Sequence, residues 1–338
     1  MDTTEREAPT VEVVRARLGD RVRVDHPVAD QTTYRVGGRA AFSFVAESPA
    51  DLAAVAELMD RTGLPVVVLG RGSNVLFADT GYAGLVLQLG EFASDVDIPA
   101  VLPETGQIEV RIGAAVALPV AARQTAAVGL RGFEWAVGVP GSVGGAVRMN
   151  AGGHGSDMAR SLLSVEVFDL ADGGTRTLAP ADVGLRFRGS ALSDSDIVLS
   201  VVVGLERGSS SEAAEEIDEI VRWRRANQPG GQNAGSVFVN PVPGQVSAGE
   251  LIDDCGLRGF RIGSAHVSSK HANFIQAEPG GAAGDVVAVM RHVRDAVAAA
   301  TGHRLRSEVR LLGFDPSILA ELHGDEPHQR SDEVEGRA

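Results

Sequence analysis

The sequence predicts an α+β protein of two or three packed units, and three observations carry that expectation. The 338 residues are 44% hydrophobic, enough for more than one core. The first two hundred residues mix strand-period and helix-period segments punctuated by glycine. A charged helix at 210–226 then ends at Gln228-Pro229-Gly230-Gly231, a strong breaker cluster. The boundaries that follow are an N-terminal extension at 1–20, a first domain at 21–208, a second at 209–316 with 210–226 as connecting helix, and a tail at 317–338.

Taken in order, residues 1–20 are charged and lack an extended apolar pattern, so they are expected to be mobile. From Ser48, SPADLAAVAELMDRTGLP reads as a capped helix with Pro49 in its first turn, and PVVVLG reads as a buried strand. QIEVRIG at 107–113 alternates as a strand, and LPVAARQTAAVGL at 118–130 has helical spacing. SVEVFDLADGGTRTLA at 164–179 reads as two strands around a glycine turn, and IVLSVVVGL at 197–205 as a buried strand. Further on, Ser247 and Glu250 have capping-box spacing ahead of LIDDCGL, which places Cys255 on an apolar face as a core residue. A helix at roughly 283–300 precedes the strand LRSEVRLLGF. The tail is acidic and is expected to be mobile: residues 321–338 hold six acidic and two basic residues.

Charge and composition narrow the function. The net charge is −14 and only 4% of residues are aromatic, which disfavours polyanion binding and base-stacking platforms. One cysteine, Cys255, excludes an intramolecular disulfide framework and any multi-thiolate metal site. No stretch reaches the roughly 20 apolar residues that span a bilayer, and the N-terminus has no signal-peptide pattern, so a cytoplasmic protein is expected. Of the 31 basic residues only Lys270 is lysine, so an arginine carries little information by itself.

Four segments could carry chemistry. Gly70-Arg71-Gly72-Ser73-Asn74 follows a buried strand, where missing Cβ atoms let backbone amides approach an anion such as a pyrophosphate; a tight turn explains it equally well. The dinucleotide fingerprint GxGxxG is absent, because no glycine falls three residues after Gly72. VGVPGSVGGAVRMNAGGHG at 137–155 is dense in glycine, which suits backbone wrapped around a flat ligand or a flexible loop. Two such segments, each beside a strand, favour one shared phosphate-bearing cofactor. Ser236, in GQNAGSVFVNP, sits after Gly235 at a strand entrance, where a hydroxyl can be nucleophile, acid or turn former. Neither a GxSxG elbow nor a clear histidine partner accompanies it. Finally, LRSEVRLL puts Arg306, Glu308 and Arg310 on one face, either a solvated surface or a carboxylate between guanidinium groups in a cleft.

In this order the segments resemble the family of UDP-N-acetylenolpyruvoylglucosamine reductases. The resemblance runs through TTYRVGG at 32–38, LGRGSNVLF at 69–77, PGSVGGAVRMNAG at 140–152, FRGS at 187–190, NAGSVFVNP, GLRGFRIGSAHVSSKHANFI at 256–275 and SEVRLLG at 307–313, and it covers roughly residues 27–314. It implies a two-subdomain FAD-binding domain of the vanillyl-alcohol-oxidase/PCMH type, followed by an α+β substrate-binding domain. It implies non-covalent FAD, NADPH as reductant, and a UDP-sugar whose enolpyruvyl ether is reduced. By motif match Ser236 would deliver a proton, Arg188 would pair with the substrate carboxylate, and Glu308 would share that work as an acid or by holding water. FAD would lie against Tyr34, Gly70, Arg71, Gly72, Ser73, Asn74, Gly138, Pro140, Gly141, Ser142, Gly144, Gly145, Asn150 and Gly152. Asn240, Lys270 and His271 would meet the nucleotide diphosphate. The chain departs from some relatives at Asn227, where they have a phosphate-binding lysine. The 47 residues from Gly189 to Gly235 leave no room for an extra tyrosine-bearing loop, so it resembles the loop-lacking class.

Two rivals remain at this level. One is a flavin oxidase of the same cofactor fold, with His154 as the candidate for covalent flavin attachment. The other is a nucleotide-sugar binding protein without catalysis.

Overall fold

The computed structural model describes residues 6–324; residues 1–5 and 325–338, including most of the expected acidic tail, lie outside the described residues. A four-stranded sheet has the order Arg23–Pro27, Arg39–Ala46, Tyr82–Leu89, Val66–Val68, with its first pair antiparallel and the rest parallel. A larger antiparallel sheet runs Gly174–Leu178, Leu162–Asp169, Asp196–Arg207, Ile108–Gly113, Val96–Asp97, and Leu130–Arg131 pairs with the far end of its long central strand. A three-stranded sheet, Arg261–Ile262, Ala265–Val267 and Ile275–Ala277, packs against the helix Ala283–Thr301. The α+β class is therefore as expected.

The helices start where the chain supplies acceptors. Ser48 accepts a hydrogen bond from Asp51 N ahead of Pro49–Thr62, and Ser247 does so from Glu250 N ahead of Ala248–Asp254. Each satisfies one of the orphan donors of a first turn. Cys255 is half-buried and packs against the core that contains Ile252 and Val293, in keeping with a packing role.

Both terminal expectations need correction. Val11–Leu18 is a helix capped by Thr10, and it buries Val14 and Leu18 against Leu52, Val55 and Phe44. Its short apolar spacing, Val14 to Leu18, was too brief to register as amphipathic among the charges around it. At the other end Pro316–His323 forms a helix capped by Asp315, with Leu322 fully buried. The connecting helix also sits differently from expectation. Ser210–Asn227 buries Ala213, Ile217 and Ile220 in the core of the antiparallel sheet, alongside Val110 and Val203, and so packs on the first unit.

Chain far apart in sequence is tied together along one seam. Arg310–Leu312 pairs in parallel with Val75–Phe77, while just upstream Glu308 N donates to Val237 O (2.7 Å) and Val239 N to Arg306 O (2.9 Å). The segment 305–312 thus lies between the strand after the first glycine turn and the strand-like segment after Ser236. Nearby, the helix Ala283–Thr301 has no side-chain cap of its own. Asp79, 204 residues earlier, supplies both oxygens instead, accepting from Ala283 N and Gly284 N at 2.8 Å each.

A carboxylate in that position satisfies two orphan donors and meets the positive end of the helix dipole. Asp79→Ala should therefore lower the unfolding free energy by about 1–2 kcal/mol. Asp79→Asn should recover part of it, because the amide oxygen still accepts. Urea denaturation of the three proteins measures the series.

Candidate active site

The two glycine-rich segments meet. A Cβ at Gly70 would lie 2.3 Å from the Oγ of Ser142, and one at Gly141 would lie 3.4 Å from the Oγ of Ser73. Ser142 in turn caps the helix Val143–Arg148, accepting from Gly145 N. Gly144 lets that helix press on Ala114, to whose carbonyl its own N–H donates (2.9 Å). Gly72 has φ +61° and its position would put a Cβ 2.2 Å from the Gln31 carbonyl oxygen, so only glycine fits there.

Between the sheets lies a cleft of about 510 Å³, lined among others by Gly70, Arg71, Ser142, Gly144 and Gly145, and within the range of small-molecule sites. The N–H groups of Gly70, Arg71, Gly72, Ser73 and Asn74 donate to no acceptor among the described residues. Five successive unspent donors at a glycine turn form the cradle that a phosphate needs. The residues present therefore fit a phosphate-bearing cofactor. Arg310, expected either on a solvated face or beside a carboxylate in a cleft, lines this cleft, and with Arg148 and Asp194, which sequence reading missed, it forms a linked ionic group there. In so arginine-rich a chain Arg148 did not stand out.

Other residues expected at the cofactor act on the frame of the cleft. Tyr34 is fully buried in the core around Phe238 and Leu76, its hydroxyl has no hydrogen-bond partner, and burial pushes its pKa up. Tyr34 is not among the residues that line the cleft. Asn74 spends its side-chain N–H on Glu308 O (3.0 Å). Asn150, at φ +40°, donates to Arg186 O (3.2 Å) and accepts from Ala159 N (3.1 Å). Gly138 is buried against His154 and Ile220, Pro140 is exposed, and Gly152 pairs with Asp157. His154 rests edge-on against Trp223, with ring centroids 5.0 Å apart, and is not among the residues lining the cleft.

Of the three proposed reacting groups, Arg188 and Glu308 meet, and a backbone bond ties Glu308 to the residue after Ser236. Arg188 occupies a left-handed conformation (φ +57°) at the tip of a turn closed by Arg186 N to Gly189 O (2.9 Å) and Gly189 N to Arg186 O (3.1 Å). The Asn150 bond to Arg186 anchors that turn, and the strain of a non-glycine residue there is held by it. Arg188 Nε meets Glu308 Oε1 at 3.2 Å, and Arg188 Nη2 donates to Gly152 O at 3.4 Å. Burial pushes the Glu308 carboxyl pKa up, against the opposing pull of Arg188 and Arg306. Ser236 precedes Val237, the residue bonded to Glu308 N, and its hydroxyl makes no hydrogen bond among the described residues.

The segment after Ser236 differs from a free alternating strand: Val237 and Phe238 are both buried. The cause is Asn273, which the sequence reading overlooked. Its side chain accepts from Phe238 N (2.9 Å) and donates to Phe238 O (2.8 Å), replacing a strand neighbour.

The residues expected at the diphosphate are more dispersed. Asn240 Oδ1 accepts from Ala248 N (3.0 Å), and His271 lies 3.5 Å from where a Cβ on Gly249 would be, so both flank the start of the helix Ala248–Asp254. Burial, then the charge of Arg258, push the His271 pKa down. Lys270 instead donates from Nζ to Arg225 O at the end of Ser210–Asn227.

A glycine turn with unpaired N–H groups at a cleft fits a phosphate-bearing cofactor, and with the family matches it places the chain among FAD-dependent oxidoreductases. Residues 40–179 match the FAD binding domain and residues 227–312 the C-terminal domain of UDP-N-acetylenolpyruvoylglucosamine reductase. Curated relatives of that name include those of Heliobacterium modesticaldum (39% identical, covering 90% of this chain and 95% of the relative) and Gloeobacter violaceus (40%, covering 88% and 98%). The solved MurB reductase of Thermus caldophilus is 34% identical over 86% of this chain and 99% of its own, with a TM-score of 0.72. Physcomitrella patens BBE-like 1, 13% identical with a TM-score of 0.52, shares the fold alone. The chain belongs to the UDP-N-acetylenolpyruvoylglucosamine reductase family.

A methyl group at Gly72 would collide with backbone and force a left-handed alanine. Gly72→Ala should cost at least about 2 kcal/mol and strip the protein of flavin. Flavin content per purified chain, with a urea melt beside it, tests this.

Proposed function

We propose that this protein reduces the enolpyruvyl ether of UDP-N-acetylglucosamine to UDP-N-acetylmuramate, a peptidoglycan precursor, with NADPH as reductant, in the cytoplasm. The observation that carries the reading is the Arg188–Glu308 pair one residue-step from Ser236, beside a cleft with an unspent phosphate cradle. Among the described residues no helix is long and apolar enough to cross a membrane.

FAD, when bound, supplies the hydride that adds to the β-carbon of the enol ether. The electron pair of the broken π bond then falls on the α-carbon and spreads into its carboxylate. Arg188 faces that charge with a rigid fork of donors. Glu308 orients the guanidinium through Nε and, when protonated, supplies a neutral hydrogen bond to the carboxylate or a water. Ser236 gives its proton to the α-carbon, completing the new C–H bond, and regains one from solvent. A neutral serine is a weak acid, but an α-carbanion is strongly basic, which makes the transfer favourable. Asn240, whose side-chain N–H has no acceptor among the described residues, and His271 hold the diphosphate from the start of the helix Ala248–Asp254. Lys270 steadies the helix end near Asn227 and reaches the phosphates by leaving Arg225 O.

Ser236→Ala separates chemistry from folding. The protein should stay yellow and bleach with NADPH, while substrate-dependent return of the yellow colour slows by about 10²–10⁴-fold. Loss of FAD in that variant would make the serine structural.

The pH profile tests Glu308. A raised pKa means that the proton stays on to higher pH than on an ordinary carboxyl group, so activity that needs the acid falls as pH rises through that value. Glu308→Gln should remove this alkaline limb from stopped-flow rates of the second half-reaction. An unchanged limb would assign it to another group.

A further inference from the structure

The ionic group in the cleft joins three distant pieces of chain. Arg148 ends the helix that begins at Ser142, Asp194 precedes the long central strand, and Arg310 opens the strand paired with Val75. Arg148 donates to Ser193 O (2.7 Å) and to Asp194 Oδ1 (2.6 Å), and Arg310 reaches the same Asp194 oxygen at 3.2 Å. Two guanidinium groups thus share one carboxylate oxygen, and that carboxylate is 73% exposed to solvent. The other acid lining this end, Asp196, is engaged by Arg176, which also holds Asp169. Burial and the neighbouring Arg310 charge push the Arg148 pKa down, outweighing the help of Asp194 and Asp196. The same cleft holds Gly70 and Arg71, the start of the unspent N–H series, and Arg310 N bonds to Asn74 O (3.0 Å) at its end.

We propose that Arg148 and Arg310 together grip the phosphates of FAD, completing the cradle of Gly70–Asn74, and that Asp194 holds the two arginines in position for it. Arg148 comes from the glycine-rich half and Arg310 from the strand that carries Glu308 two residues earlier. Cofactor phosphate therefore bridges the seam, and binding FAD fixes the register of the segment bearing Glu308. Because guanidinium groups hold the phosphate oxygens in fixed forks, this end of the cleft selects phosphorylated flavin over the bare isoalloxazine. The inference rests on FAD occupying this cleft and is independent of the roles given to Ser236 and Glu308.

The test uses the full chain stripped of flavin and titrated with FAD and, separately, riboflavin, with binding read by flavin fluorescence. In Arg148→Gln and in Arg310→Gln the preference for FAD over riboflavin should fall about 10- to 100-fold, with riboflavin affinity kept. Parallel loss of both ligands, or an unchanged ratio, would overturn the proposal. Arg310 is the more exposed of the pair, with 34% of its side chain accessible, so its variant decides the matter should Arg148→Gln not fold. Failure of the unaltered chain to bind either flavin would count instead against FAD in this cleft. A second readout is hydrogen exchange at residues 305–312: FAD should slow it in the unaltered chain and do so less in Arg310→Gln. Equal slowing in both would remove the coupling to the seam.

Discussion

The segment 305–312 is the constraint on which the site depends. It is held on one side by Val75–Phe77 and on the other by Val237 and Val239, so the first glycine turn, Glu308 and Ser236 share one hydrogen-bonded layer. Asn74 adds a side-chain bond to Glu308 O, and Asn273 fixes Phe238 from behind. A shift of this segment would move the Glu308 carboxylate, the backbone next to Ser236 and the end of the first glycine turn together. Buried side chains on its other face, Leu305, Val309 and Leu311, oppose such a shift by packing into the C-terminal core.

Glycine does two different jobs around that layer. At Gly72 the backbone conformation and the approach of Gln31 both exclude a side chain, and the N–H groups of the turn have no acceptor among the described residues. At Gly70 and Gly144 the requirement is proximity: Ser142 and Ala114 approach closely where a Cβ would otherwise stand. The cost in chain entropy is set against a binding surface made largely of fixed backbone dipoles, which need no rearrangement when an anion arrives.

Electrostatics then divide labour across the cleft. Arg188 is held in a strained turn and paired with a carboxyl group whose burial favours its neutral form, so the pair can change its protonation with the chemistry. Around Arg148 burial and the Arg310 charge act together against the guanidinium, and Asp194 opposes them.

Much of this was legible in the sequence. Strand and helix periods located the main elements, glycine density marked the two segments that meet at the cleft, and the order of the motifs identified the family, because local spacing reports local backbone geometry. The helix Val11–Leu18 escaped notice because its two core residues are embedded among charges, and only contact with Leu52 and Phe44 makes them a face. Arg148, Asp194 and Asn273 were silent for a related reason: each is an ordinary polar residue whose meaning comes from partners far along the chain, as in the Asp194 pair with Arg310, 116 positions away. The sequence by itself determined which residues could bend sharply, lie extended or carry charge. Tertiary structure alone decided which of them meet, since the bond between Glu308 and Val237 and the ion pair with Arg188 join strands and turns that no local pattern connects.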